Sequence, residues 1–320
     1  MPYAIGGGGA LGIAIEATYG TFIAPTKWIP IRSESLEKQE SKIYRENIRG
    51  IADRSGAIQG YYHIAGDVTF EVTADVLVYF MYASRVTPAK GALASGGYPY
   101  TFTPAHVASP TTGVGVTLRK TLSVQVNRNQ RPFGYTGMSV TQLAFSIDNG
   151  LLMCTATLMG LEEAQQSLGS PTWPTTLAMG PTYNAIELPT ASVRTDLDTF
   201  SLTINDNGDA QNRIKTTGGR APAFIKWGER EVSGSVDADF DTLTDYNAFL
   251  AQTIQPIKFT SVVDANLNAI SIVLNATDMD SYKVNLGSIG DLVRANIAYH
   301  GIYNTTDVYT IVVNTAESIL

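Results

Sequence analysis

Segment after segment of this chain alternates apolar and polar residues with a period of two: GDVTFEVTAD, KTLSVQVN, SVTQLAFSID, FSLTIND, REVSGSVDAD, AISIVLNAT and YTIVVN. Successive side chains of an extended strand point to opposite faces, so the pattern predicts half-buried strands and a mainly β chain. Helical spacing is rare. DTLTDYNAFLAQ has it: Thr242 stands three residues before Asp245, as in a capping box, and Leu243, Tyr246 and Leu250 share one face. DVLVYFMYAS is too uniformly apolar for its period to decide between strand and helix.

The strand signals occur twice. VTFEVTAD (Val68–Asp75) lines up with VSGSVDAD (Val232–Asp239), LSVQVN from Leu122 with ISIVLN from Ile270, and Gly137–Gly160 with Asp278–Gly301. Identity is low, but order, alternation and hairpin position agree, which predicts an internal duplication of one β-domain. Symmetry then assigns DVLVYFMYAS to a helix, matching the one expected in the second copy. The expected division is a lead-in arm over 1–32, a first domain over 33–165 with long loops at 33–60 and 84–117, a linker over 166–198 and a second domain over 199–320. The Pro/Gly/Thr-rich composition of 166–198 suits a linker.

Within each copy the first strand has two unlike faces. Val68, Phe70, Val72 and Ala74 oppose Thr69, Glu71, Thr73 and Asp75, and Val232, Gly234, Val236 and Ala238 oppose Ser233, Ser235, Asp237 and Asp239. One face suits a core; the other is small, polar and acidic, and is expected to stay wet.

Composition removes several function classes. Charged residues make up 16% of the chain, below the roughly 25% of an ordinary globular protein, and the formal net charge is -7. That balance disfavours a phosphate-gripping surface, which needs clustered Lys and Arg. The lone Cys154 excludes an intrachain disulfide and sits in an alternating strand, where a small buried hydrophobe is expected. No stretch approaches the ~20 apolar residues of a membrane-spanning helix, so no membrane partner is expected.

Motifs of chemistry dissolve on inspection. Gly7, Gly9 and Gly12 spell G-x-G-x-x-G, but no buried strand precedes them and no helical pattern follows, so a dinucleotide has no helix N-terminus to sit on; an N-terminal arm, mobile or ordered by assembly, is the expectation. His63, His106 and His300 are scattered without a partner at metal-ligand spacing. Asp264 opens a faint calcium-loop pattern that fails at Ala269 and Asn275. No nucleophile elbow or Walker loop is present. The expectation is a chain without catalytic site, cofactor or metal. The most charged segment, Ser33–Gly60, interleaves Arg45, Arg49 and Arg54 with Glu37, Glu40, Glu46 and Asp53. It reads either as a solvated loop or as an arm that docks on a neighbouring subunit through mixed-sign complementarity.

The stretch YGTFIAPTKWIPIRSESLEKQESKIYRENIRG (Tyr19–Gly50), followed by the GDVTFEVTAD strand, resembles the opening of the major tail tube proteins of long-tailed bacteriophages; the remainder is similar in strand order. The resemblance implies two tandem tail-tube-type β-sandwich or barrel domains, each with a short flanking helix. It implies a virion protein, assembled in the bacterial cytoplasm, whose rings stack into a tube that conducts double-stranded DNA without binding it specifically. Its partners would be other copies of itself, a tape measure and further tail proteins. Family members with one tube domain form hexameric rings, so a duplicated chain would close a ring as a trimer with pseudo-sixfold symmetry, or as a hexamer of larger subunits. On this resemblance Thr69, Glu71, Thr73, Asp75, Ser233, Ser235, Asp237 and Asp239 would line the lumen. Glu37, Glu40, Arg45, Glu46, Arg49, Asp53 and Arg54 would make inter-subunit contacts.

Other readings of the same strands are a different phage β-assembly protein (baseplate, connector or decoration) and a tandem carbohydrate-binding β-sandwich. In the latter, Trp28, Trp173, Trp227 and the tyrosines would supply stacking platforms.

Overall fold

A computed structural model describes the chain apart from residues 1–7, 47–52, 54–55, 107–120, 130, 190–191, 214–218, 287, 289–290 and 320. The chain is mainly β. Its first half runs β1 (Ala10–Ile15), β2 (Lys27–Ile29), β3 (Ile31–Glu34), β4 (Glu37–Tyr44), β5 (Ala57–Glu71), α1 (Ala74–Ala83), β6 (Val86–Lys90), β7 (Tyr98–Pro104), β8 (Leu122–Arg128), β9 (Arg131–Asp148), β10 (Leu151–Gly160) and β11 (Glu162–Gln165). Its second half runs β12 (Asn184–Glu187), β13 (Leu197–Asn205), β14 (Gly208–Gln211), β15 (Phe224–Trp227), β16 (Glu231–Asp239), α2 (Thr244–Leu250), β17 (Gln255–Asp264), β18 (Asn268–Asn285), β19 (Arg294–Gly301) and β20 (Tyr309–Thr315).

The halves pair their strands in the same order. In the first, β3 and β4 pair with β5, β5 with β10, β10 with β9, β9 with β8, β8 with β1, and β11 takes the other side of β9. In the second, β13 pairs with β16, β16 with β19, β19 with β18, β18 with β17, β17 with β12, and β20 takes the other side of β18. Irregularities recur too: the β9–β10 ladder skips Thr141 and the β18–β19 ladder skips Asp280.

Superposing these bulges corrects the correspondences expected from sequence. Through the ladders, Val68 matches Val236 and Glu71 matches Asp239, and ISIVLN belongs with the first half of β9 rather than with LSVQVN in β8. The strand–strand error for Val68 and Val232 has a simple cause. A shift by an even number of residues keeps every side chain on its own face, so alternation cannot reject it.

β9 and β18 are long enough to bend from an inner sheet into an outer one, and the core fills the space between. At the bend in β9, Gly137 takes φ +64°, where a Cβ would lie 2.6 Å from Leu161 Cγ. The core includes Phe70 stacked on Phe80 at 4.6 Å and Phe200 on Phe259 at 4.7 Å; burying each such side chain contributes about 1.5–3 kcal/mol. Helix α1 is buried along its whole length because it lies between β9 of its own half and β18 and β20 of the other. That is why its sequence is apolar all round. Helix α2 forms where expected, but without the capping box: Leu243 is its N-cap, with no side-chain cap hydrogen bond, and Asp245 is drawn to Arg194 instead.

Several segments expected to be irregular are built in. Ala10–Ile15, placed by sequence in a lead-in arm, is a buried strand between β2 and β8. Gly12 belongs to that strand, and its missing side chain admits Pro25, whose Cβ lies 2.6 Å from where a Cβ would stand; Gly7 lies outside the described residues. The expected loop 33–60 is largely the ladder of β4 on β5. Its alternation was hidden because β4 is exposed on both faces and therefore charged throughout. Within 84–117, β6 and β7 form a hairpin whose β7 adds to β20 of the second half. Within 166–198, β12 adds to β17.

Candidate functional site

The halves are joined edge to edge. Beyond its ladder with β16, β13 pairs with the C-terminal part of β9, setting Ser201 opposite Ser146, Leu202 opposite Phe145 and Ile204 opposite Leu143. The inner sheet therefore runs without a break from β4 through β5, β10, β9, β13, β16 and β19 to β18.

Reading across this sheet separates its two faces. One row runs Phe70, Cys154, Phe145, Leu202, Gly234, Tyr299, Met279, and is core. Gly234 interrupts it to admit the Tyr299 ring, whose hydroxyl donates to the Ser201 carbonyl at 2.8 Å. The neighbouring rows point the other way: Thr69, Thr155, Ala144, Thr203, Ser233, His300, and Glu71, Met153, Ser146, Ser201, Ser235, Ala298, Ser281. This face is a field of small hydroxyls with scattered carboxylates, and its hydroxyls bond across strands, Thr69 to Thr155 at 3.0 Å and Ser201 to Ser235 at 2.9 Å.

Of the residues singled out by sequence, Thr69, Glu71, Ser233, Ser235, Asp237 and Asp239 share this face. Thr73 and Asp75 do not, and both are only 5% exposed. The strand ends at Glu71; Thr73 becomes the N-cap of α1 and Asp75 enters its first turn, so neither continues the strand's alternation. Asp75 instead accepts from Lys27 Nζ at 2.6 Å, which also reaches Glu317 at 2.7 Å. Burial acts to lower the Lys27 pKa, but hydrogen bonds and charge from Asp75 and Glu317 together raise it. The same device recurs at α2, where Arg194 lies 3.0 Å from Asp245.

Sequence inspection did not single out Ser146, Ser201 and Thr203, which complete the centre of the polar face. Their signal was present in the alternation of FSLTIND, but nothing in it revealed that β13 lies against β9.

Two arginines on this face are committed. Arg32 is 2.6 Å from Asp148 and 3.5 Å from Glu71, and the hydrogen bond it donates to the Asp148 carboxylate is the chief cause that raises its pKa. Arg294 is 2.5 Å from Asp198 and 3.6 Å from Asp239. Asp237 accepts from Thr199 at 2.9 Å and from Asn296 at 2.6 Å. A polyanion passing over such a face meets hydroxyls and paired charges rather than a row of open ammonium groups.

The charged segment forms a second surface. Glu37 and Glu40 are on β4, and Arg220 from the second half forms an ion pair with Glu40 and donates to the Gly60 carbonyl at 3.2 Å. Arg45, Glu46 and Asp53 lie toward the tip, while Arg49 and Arg54 fall outside the described residues. Beside them Ile43 and Ile58, directly opposite one another, are 55% and 52% exposed.

Among the described residues no three His, Cys, Asp or Glu side chains come together as a metal site, and no helix is long and apolar enough to cross a membrane. Cys154 is fully buried, which pushes its thiol pKa up and away from nucleophilic use. The sequence pattern of a family described as phage tail tube protein matches residues 6–301 of the chain. No curated protein matches it.

Proposed function

Because the chain belongs to the phage tail tube protein family, and so to the virion tail, we propose that it is the subunit whose copies close into stacked rings around a channel for double-stranded DNA. The observation that carries this is the polar face of the inner sheet, continuous across both halves. On a single chain a sheet this wide leaves open edges and a broad wet face; closure with other copies removes the edges and turns the face into a wall. Thr69, Glu71, Ser233, Ser235, Asp237 and Asp239 would then line the channel, where hydroxyls and paired carboxylates let a polyanion slide because no counterions are released to hold it.

The repeated pairing order supports two tube domains per chain, and hence three chains per ring with pseudo-sixfold symmetry, in preference to six. The arm of β4 and β5, with its exposed Ile43 and Ile58, suits contact with a neighbouring subunit. The role is structural rather than enzymatic, and tape measure and other tail proteins are its expected partners. End-on averages of the purified protein by negative-stain electron microscopy test the reading: hollow threefold or pseudo-sixfold rings support it, and solid or asymmetric particles refute it.

A further inference from the structure

Resting on that reading, the junction inside the chain can be used as a template for the junction between chains. In the first half, the C-terminal part of β9 is covered by β13. Its counterpart in the second half, Ser281–Asn285 of β18, pairs only with β19 among the described residues, leaving its other edge open. The counterpart of β13 is the β3–β4 segment, whose only strand partner among the described residues is β5. At its centre Leu36 is buried, its N–H donating to Glu34 and its carbonyl accepting from Arg128 and Tyr135, and the stretch from Glu37 onward has no second strand beside it among the described residues. The chain thus carries one made joint and the two unmade halves of a second.

The helices repeat this asymmetry. α1 is buried because the second half packs against it, whereas on α2 Leu243 is 56%, Tyr246 38% and Leu250 60% exposed. An apolar helix face left bare beside an open strand edge is a surface awaiting the element that covers its counterpart.

We infer that Ser281–Asn285 of β18 pairs antiparallel with Ser35–Gln39 of a second copy of this chain, with α2 packing against β9 and β11 of that copy. Transferring the register of the β9–β13 joint through the equivalent ladders sets Glu37 directly opposite Lys283. The charges are complementary, and Lys283 is a cation of the polar face with no carboxylate partner among the described residues, so the joint would neutralise it. Head-to-tail addition of this kind is heterologous and generates a ring when the rotation closes.

Opposed residues of an antiparallel pair stand at disulfide distance, so Glu37→Cys with Lys283→Cys provides the test, read on assembled protein after mild oxidation. A covalently closed ladder ending at the ring's own copy number, absent from either single variant, is the expected result. Rings visible by microscopy without that cross-link overturn this joint and leave the tube reading standing; a chain that stays monomeric at high concentration overturns both. A charge exchange guards against misfolding of the cysteine pair. Glu37→Lys should reduce assembly, and adding Lys283→Glu should restore it; failure to restore contradicts the register.

Discussion

Leu202 lies directly opposite Phe145 across the boundary between the two halves, and both are essentially inaccessible to water. The halves therefore share a hydrophobic core as well as a ladder, which joins the two polar faces into one. What a ring would need between subunits, the chain already contains once within itself.

Leu202→Ala should remove a buried side chain at that joint and cost about 2–5 kcal/mol of unfolding free energy. Combining it with Phe145→Ala should give less than the sum of the single losses, because each deletion relaxes the site of the other. Denaturant titration of the four proteins measures the coupling; strict additivity would mean that the halves do not share a core there.

Lys27→Met should destabilise the chain by about 3–5 kcal/mol, since it leaves Asp75 buried at the start of α1 without its ammonium partner. Replacing Asp75 by Asn in the same protein should recover part of the loss. Thermal melting of the single and double variants checks both signs.

The Arg194–Asp196 pair predicts an acid-side dependence. The hydrogen bond from Arg194 holds the Asp196 carboxyl below its ordinary value, so the pair's contribution is complete above the unfolded aspartate range near 4 and fades as pH falls through the folded value. The melting temperature of the native protein should therefore drop toward that of Asp196→Asn as pH is lowered from about 6 to about 3. A gap that stays constant over that range would contradict the assignment.

A lysine introduced at Thr69 or Ser235 would place an uncommitted ammonium on the polar face. Assembled Thr69→Lys, Ser235→Lys tubes should retain duplex DNA at low salt and release it as salt rises, each phosphate contact contributing about one unit of slope. Co-sedimentation at several salt concentrations reads this directly, with native tubes retaining little at any of them.

Much of this was legible in the residues. Alternation gave the strands and their faces, because Phe200, Leu202 and Ile204 against Ser201, Thr203 and Asn205 admit only one inward side. Helix α1 had to be inferred from α2, since burial on every side erases periodicity. Three things were not legible. The register between repeats was lost because even shifts preserve the pattern. The strand β4 was hidden by exposure on both faces. The β9–β13 joint escaped because edge pairing depends on backbone geometry that side-chain alternation does not encode. Thr73 and Asp75 were misplaced for a related reason: nothing in VTFEVTAD marks where strand gives way to helix.

The central claim, that the continuous polar face lines a channel, is best tested by labelling assembled Ser235→Cys protein with a gold-cluster maleimide and averaging end-on images. Cys154 is fully buried and does not compete for the label. Gold density on the inner wall of the ring is the expected result; density on the outer wall or between stacked rings would contradict it.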